Sequence, residues 1–225
     1  MMDVEEKRQV RDRFLKLNTA TVCDVFDELD ASAPALDFGI QRRTFERQRI
    51  AGWAYTIEGR ASPEKGPDKL KLEVIDALPE GSVPVWGGND AHGYCLFGDL
   101  IAATMQRRGC HGAVVDGGFR DVEAISGTGF PVFARYTSPV QSIGRWRVTS
   151  HGQPITLTGA VGGTITVATG DFVLGDEDGV VVVPAALVMQ VLERVEEIVR
   201  MEEEARGLSA KGMTASEMLE KYGHV

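Results

Sequence analysis

The chain has 225 residues, of which 43% are hydrophobic and 25% are charged. Both fractions are ordinary for a globular protein, and the length suits one domain with a substantial core, so residues 1–225 are expected to form a single domain. The net charge of -9 argues against a nucleic-acid partner, because phosphate binding needs clustered Lys and Arg. No apolar run approaches the length of a membrane span, so no membrane partner is expected.

The cysteines and the first residues indicate a cytoplasmic location. Cys23, Cys95 and Cys110 are odd in number, widely separated and without the spacing of a metal site. This pattern is typical of a reducing compartment, in which free cysteines act as small buried hydrophobic residues. The charged stretch 1–14 also lacks the apolar centre of a signal peptide.

The first part of the chain predicts alternating helices and strands. An amphipathic helix is expected over residues 4–17, with Val10, Phe14 and Leu17 as its apolar stripe. The elements that follow are a helix capped by Thr19 or Thr21, a loop over 31–38, a strand over 49–57, a helix that starts at Asp68 and stops at Pro79 and Gly81, a strand over 83–86 and a long loop over 87–93.

The second part is richer in strands. A strand is expected over 131–136, and residues 147–183 should form several strands with turns at 151–152, 162–163 and 176–179. A long helix over 185–206 and a short one over 215–222 end the chain, and 185–225 is the expected oligomer contact. This order of elements predicts a mixed α/β fold.

Residues 98–121 form the most informative stretch, with the sequence GDLIAATMQRRGCHGAVVDGGFRD. Asp99 is a good capping residue, so a helix is predicted to start at Gly98–Asp99. Gly109 is its predicted stop. The stretch therefore contains a helix with an acidic residue at its N-terminal end.

A strand and a charged turn should follow this helix. The apolar run 113–115 predicts a short buried strand. The segment 116–121 is glycine-rich, carries three charges and is interpreted as a turn, and another helix should start at Asp121. If the strands at 83–86 and 113–115 are parallel and joined by a right-handed crossover, the helix start and the end of the second strand share one sheet edge.

The side chains at this edge suggest a site. Asp99, Asp116, Arg120 and Asp121 would face one crevice, at the place where open α/β sheets bind ligands. Carboxylates, an arginine and the free amides of a helix N-terminus favour a divalent cation together with a small anionic substrate. The alternative is purely structural, with Asp99 as a helix cap and Arg120–Asp121 as a surface ion pair.

The stretch 98–121 resembles the signature of the family that joins class II 4-hydroxy-4-methyl-2-oxoglutarate (4-carboxy-4-hydroxy-2-oxoadipate) aldolases to the RraA-type regulators of ribonuclease E. Residues 19–24, 50–57 and 179–184 agree with the same pattern, so the resemblance covers nearly the whole chain. It implies a swivelling β/β/α domain, a three-layer fold with helical extensions at both ends. It also implies homotrimers or homohexamers with sites between subunits.

The resemblance implies a divalent-metal-dependent lyase that cleaves a 4-hydroxy-2-oxo acid to pyruvate, with oxaloacetate decarboxylation as a second activity. Asp121 is then the direct ligand of Mg²⁺ or Mn²⁺, and Asp99 holds the ion through water. Arg120 pairs with the keto oxygen of the substrate and stabilises the enolate that C–C cleavage leaves.

The remaining roles are assigned in the same way. Gly98 and the amides of Leu100 and Ile101 are expected to receive the substrate carboxylate. Proton removal should be assisted by Asp99 and by a late-helix glutamate that reaches a neighbouring subunit, best matched by Glu202 or Glu203. A Schiff-base mechanism is not favoured, because Lys69 and Lys71 are expected on an exposed helical face.

Two rival functions remain. The first is a non-enzymatic regulator that binds a ribonuclease. The regulators keep the arginine but lack the acid that follows it, so the intact Arg120–Asp121 pair favours the enzyme. The second is a lyase or hydratase that acts on another sugar-derived acid at the same metal site.

Overall fold

The computed structural model describes residues 2–45, 48–88 and 91–209, with residues 214 and 217. It contains six helices in these ranges, which pack on one large sheet. The helices are α1 Val4–Phe14, α2 Thr19–Glu28, α3 Lys69–Asp76, α4 Asp99–Arg107, α5 Val122–Gly127 and α6 Val188–Ser209. The short helix expected over 215–222 falls largely outside the described residues.

Nine strands form the large sheet, and two further strands form a separate hairpin. The order in the sheet is β1-β6-β5-β3-β2-β10-β11, with β4 paired to β5 and β7 paired to β2. The strands are β1 Gln41–Arg42, β2 Ile50–Ala61, β3 Ser82–Gly87, β4 Cys95–Phe97, β5 Ala113–Phe119, β6 Val132–Thr137, β7 Trp146–His151, β8 Ile155–Thr158, β9 Thr164–Val167, β10 Phe172–Gly175 and β11 Val180–Val183.

The middle of the sheet is parallel. Strands β2, β3, β5 and β6 run in one direction as successive neighbours, and the short β4 also pairs with β5 in parallel. Because parallel strands end at the same edge, the residues that follow β4, β5 and β6 are brought together. This edge carries the candidate site.

Two groups of helices cover different parts of the same face of the sheet, and a third core of apolar side chains lines the other face. Helices α3, α4 and α5 bury one core, which contains Trp86, Met105 and Phe119. Helices α1, α2 and α6 bury another, centred on Phe14 and Phe172, whose rings stack 4.3 Å apart. The mixed α/β architecture predicted from the order of elements is therefore confirmed.

Local polar residues explain where several helices begin and end. Asp68 caps α3 by accepting a hydrogen bond from the Lys71 amide, as predicted. Gly109 has φ +83°, a conformation that glycine adopts easily, and it ends α4 as predicted. The cap of α2 was predicted wrongly, because Asn18, rather than Thr19 or Thr21, accepts the hydrogen bond from the Thr21 amide.

The long helix α6 packs inside its own chain. Its broad apolar face is fully buried against α1, α2 and the sheet, at Val188, Val191, Leu192 and Val195. This face therefore gives no support to the expectation that the late helix is an oligomer contact. No helix among the described residues is long and apolar enough to cross a membrane.

Candidate functional site

Asp99, Arg120 and Asp121 meet at the shared edge of the parallel strands. Asp99 begins α4 directly after β4, and Arg120 and Asp121 lie between β5 and α5. The guanidinium Nε of Arg120 and the backbone amide of Asp99 each lie 3.2 Å from Oδ2 of Asp121, to which both donate hydrogen bonds. Asp99 thus forms one polar cluster with Arg120 and Asp121, which lie about twenty positions later in the sequence. The position of the three residues at one sheet edge was predicted.

Asp99 does not cap its helix. The N-cap residue is Gly98, which has no capping side chain, and Asp99 is the first helical residue. Its carboxylate Oδ1 instead accepts a hydrogen bond of 2.8 Å from the Leu100 amide. One of the two amides expected to receive a substrate carboxylate is therefore held by Asp99 in this structure.

Gly98 lies against the polar cluster. A methyl group added at this position would overlap Oδ2 of Asp121 and would come within 3.1 Å of the Arg120 side chain. Asp121 itself has φ +62° and ψ +40°, the left-handed conformation that non-glycine residues seldom adopt. Local backbone strain of this kind is typical of functional sites.

The side chain of Arg120 lines three clefts. Their volumes are about 360, 250 and 630 Å³. Asp99 and Asp121 line the largest cleft, and Ile101 and Gly98 line the smallest. The polar cluster is therefore open to a small molecule from several directions.

The cleft of about 360 Å³ is also lined by residues that were not predicted from the sequence to lie at the site. Thr137, Ser138 and Pro139 line it beside Arg120. Thr137 ends β6, which is parallel to β5 and pairs Thr137 with Phe119, and Ser138 and Pro139 follow it. Because β6 runs parallel to β5, its last residues are expected at the same edge as Arg120.

Asp116 was wrongly assigned to the cluster. The segment 116–119 is part of β5 rather than a turn, so successive side chains point to opposite faces of the sheet. The Asp116 carboxylate pairs with Nε of Arg135, whose Nη1 also donates to Asp37. Asp116 therefore belongs to an ion-pair network and lines none of the clefts at Arg120.

Glu202 lies on α6, a helix that covers a different part of the sheet from α3, α4 and α5. Its carboxylate accepts a hydrogen bond of 2.7 Å from Arg206, one helical turn away. It lines none of the clefts around Arg120 in its own chain. A role in a neighbouring subunit's site stays a prediction, for Glu202 as for Glu203.

The expectation that Lys71 is exposed is wrong. Only 8% of the residue is accessible, whereas Lys69 is exposed as expected. Burial lowers the pKa of the Lys71 ammonium, and the nearby Asp68 carboxylate partly opposes that shift. Lys71 precedes Val74 and Leu78 by three and seven positions, so the helical period already placed it on the buried stripe.

The cluster offers few protein ligands for a metal ion. No group of three or more His, Cys, Asp or Glu side chains that could hold a metal ion occurs in the part of the chain that the structure describes. Mg²⁺, however, usually keeps several waters and takes only one or two carboxylates from the protein. Asp99 and Asp121 supply two carboxylates, and the missing side chain at Gly98 leaves room for Oδ2 of Asp121 beside the start of α4, where it accepts the Asp99 amide.

Comparison with known proteins adds sequence relatives. A Legionella pneumophila protein, DlpA, is 29% identical over 93% of this chain, although the chain spans only about one third (33%) of that relative. A Halalkalibacterium halodurans protein named "Putative 4-hydroxy-4-methyl-2-oxoglutarate aldolase" is 30% identical over 80% of this chain and 81% of its own length.

A solved structure shares the fold. Streptomyces coelicolor RraAS2, described as an unusual member of the RNase ES inhibitor RraA protein family, superposes with a TM-score of 0.77 over 92% of this chain and 98% of its own. Its identity of 24% supports a likeness of fold alone. The expected RraA-like α/β fold class with helices at both ends is confirmed, and the structure adds that the sheet is nearly closed and barrel-like.

The sequence of this chain also matches the RraA-like family, described as Aldolase/RraA, over residues 19–182. That range runs from the first residue of α2 into β11 and contains every residue of the polar cluster. The chain therefore belongs to the RraA-like family, which joins aldolases to RraA regulators.

Proposed function

We propose that the protein is a divalent-metal-dependent lyase that cleaves a 4-hydroxy-2-oxo acid to pyruvate. The observation that carries this proposal is the contact of Asp121 with both Arg120 and the start of α4, each over 3.2 Å. It places a guanidinium, two carboxylates and a helix N-terminus around one opening. The name of the Halalkalibacterium halodurans relative supports the same class of reaction.

Arg120 is the group that stabilises the developing negative charge. Cleavage of the bond between C3 and C4 of the substrate leaves its electron pair on the pyruvate half as an enolate. The Arg120 side chain is 42% exposed and lines all three clefts, so it can donate to the enolate oxygen while its Nε stays on Asp121. A donor fixed before the reaction stabilises the transition state without reorganising.

Asp99 and the start of α4 position the substrate and its proton. The substrate carboxylate can bind the amides of Leu100 and Ile101 once the Asp99 carboxylate turns away from the Leu100 amide. The released Asp99 carboxylate then assists removal of the proton from the 4-hydroxyl group, as C3–C4 cleavage turns that carbon into a carbonyl. Asp99 thereby gives up its hydrogen bond with the Leu100 amide and takes part in the proton transfer.

Asp121, with Asp99, would hold the metal ion. Bound Mg²⁺ or Mn²⁺ would supply Lewis acidity that favours the charged enolate oxygen over the uncharged keto oxygen of the substrate. The left-handed backbone of Asp121 and the missing side chain at Gly98 keep one carboxylate available for it. Loss of CO₂ from oxaloacetate leaves the same enolate, so decarboxylation is proposed as a second activity.

We also propose that the active form is a homotrimer or homohexamer. In this assembly Glu202 or Glu203 of one subunit would complete the site of another and assist the proton transfer. Sedimentation should then give a trimer or a hexamer, and a fully active monomer would contradict the shared site. The odd number of separated cysteines favours a cytoplasmic location for this enzyme.

A pyruvate-release assay tests the proposed reaction. The purified protein should release pyruvate from 4-hydroxy-4-methyl-2-oxoglutarate or a related 4-hydroxy-2-oxo acid, and from oxaloacetate, only with Mg²⁺ or Mn²⁺ present. If only a sugar-derived acid is turned over, the proposed substrate is wrong and the proposed metal site is retained. Binding to a ribonuclease with no turnover on the whole panel would favour the regulator.

A further inference from the structure

The buried ammonium of Lys71 joins three segments that build the candidate site. From α3, its Nζ donates a hydrogen bond of 2.8 Å to the Leu96 carbonyl in β4 and one of 3.2 Å to the Ser142 hydroxyl. It also lies 5.3 Å from the centre of the Trp146 ring, within the range of a cation–π contact. Lys71 therefore links α3, β4 and the loop after β6.

The position of β4 determines the position of Arg120. Directly after Leu96, the carbonyl of Phe97 accepts a hydrogen bond of 3.1 Å from the Arg120 amide. Gly98 follows at once and packs against the side chains of Arg120 and Asp121. A displacement of Leu96 would therefore be transmitted to Arg120 through a single peptide unit.

The other edge of β4 is bound by the loop after β6. The amide of Cys95 donates a hydrogen bond of 2.7 Å to the carbonyl of Val140, two residues before Ser142. Strand β4 has three residues, too few to hold its place by pairing alone. The Lys71 ammonium contacts both the strand and this loop, so it fixes their separation.

A lysine is a costly choice for a buried position. Among the described residues, Asp68, 3.9 Å away, is the one carboxylate paired with it, and a methionine of similar length would avoid the desolvation of an ammonium. A nucleophilic role does not explain the choice, because Nζ is already bound to two oxygen atoms. What the ammonium provides is directed hydrogen bonds to the two segments beside Arg120.

We propose that Lys71 is a positioning residue, which holds the strand Cys95–Phe97 and through it the backbone of Arg120. This inference rests on the proposed function only for its effect on turnover. Its structural part concerns the Arg120 amide and can be measured without any substrate.

Hydrogen exchange followed by mass spectrometry tests the structural part. In Lys71→Met, peptides that cover 95–99 and 117–121 should exchange faster than in the wild type. Lys69→Met, on the exposed side of the same helix, is the matched control and should exchange as the wild type does. If folded Lys71→Met shows unchanged exchange at 117–121, the inference is wrong.

Turnover tests the catalytic part. We expect the turnover number of Lys71→Met for pyruvate release to fall by up to about 10²-fold with little change in KM, because Arg120 is misplaced rather than removed. Lys71→Arg keeps a charged donor and should recover part of the loss. A lower turnover number with a normal exchange pattern would also overturn the inference, since the loss would then have another cause.

A less disruptive variant is used if Lys71→Met does not fold. Ser142→Ala removes only one of the two hydrogen bonds and should give a smaller increase of exchange at 95–99 and 117–121. Unchanged exchange at both segments in folded Ser142→Ala would then overturn the inference. If the wild type releases no pyruvate but exchange responds as expected, the proposed function fails and the positioning role stands.

Discussion

The backbone amide of Asp99 donates a hydrogen bond of 3.2 Å to Oδ2 of Asp121, which joins the starts of α4 and α5. The Arg120 guanidinium reaches the same oxygen atom over 3.2 Å. The Asp121 carboxylate is therefore held by two donors on one oxygen. Substitutions around it should separate its role in catalysis from its role in stability.

Gly98→Ala should reduce pyruvate release with little loss of stability. The new methyl group would push the Asp121 carboxylate and the Arg120 side chain out of place, and a misplacement of this kind costs about 10²-fold in rate. Gly98 has extended backbone angles that alanine accepts, so the melting temperature should change little. Gly127→Ala, in which the added methyl group contacts nothing, is the control; equal rates in the two variants would contradict a steric effect at Gly98.

Arg120→Ala should lower the turnover number by about 10²–10³-fold, the usual effect of removing one partner of an oxyanion. Oxaloacetate decarboxylation should fall in parallel, because both reactions pass through the same enolate. Arg120→Lys keeps the charge without the planar fork and should recover only part of the activity. If Arg120→Ala leaves both reactions intact and weakens only ribonuclease binding, the enzyme assignment is wrong and the regulator assignment is right.

Removal of the metal ion should abolish activity. EDTA treatment should reduce pyruvate release to background, and Mg²⁺ or Mn²⁺ should restore it. Asp121→Ala should stay inactive at every metal concentration, whereas Asp76→Ala, at an exposed position on α3, should titrate as the wild type does. Full turnover in metal-free protein would rule out a metal-dependent mechanism.

Acidification should destabilise the protein through His111. The Arg11 guanidinium lies 2.6 Å from its Nε2, and burial, followed by this cation, lowers the pKa of the imidazole, while Asp12 and Glu80 oppose the shift. The neutral ring is therefore favoured in the folded state. Its stabilising effect is complete above the unfolded pKa of about 6.5 and is lost as the pH falls through the lower folded value.

Thermal melts between pH 7.5 and 5 measure this contribution. His111→Gln cannot gain a proton, so its melting temperature should fall less with acidification than that of the wild type. The difference between the two profiles isolates His111 from the carboxylates, which titrate in both proteins. Parallel profiles would show that the Arg11–His111 contact carries no pH dependence.

Sequence reasoning found the edge of the sheet but not every side chain on it. Asp99, Arg120 and Asp121 could be placed because each follows or begins an element with a clear pattern. Asp116 was misplaced because 116–119 contains two glycines and was interpreted as a turn, although pairing with β6 extends β5 to Phe119. Tertiary pairing of this kind overrides local propensity.

Two further features depended on contacts between distant parts of the chain. Strand β4 is only three residues long and forms by pairing with β5, so no periodic pattern in the sequence predicts it. Lys71 lies on the buried apolar stripe of α3, which the helical period predicts. Its charge nevertheless led to the prediction of an exposed position, because lysine is seldom buried. Its carbonyl and hydroxyl partners lie 25 and 71 residues further along the chain, beyond the reach of local patterns.

The left-handed backbone of Asp121 lowers the stability of the fold, whereas its carboxylate is the group proposed to serve catalysis. A non-glycine residue in this conformation costs of order 1 kcal/mol, although aspartate tolerates it better than most. Asp121→Gly would relieve the strain and remove the carboxylate in one step. Directed evolution under selection for heat resistance alone would therefore tend to discard this acid, and only a simultaneous demand for turnover would retain it.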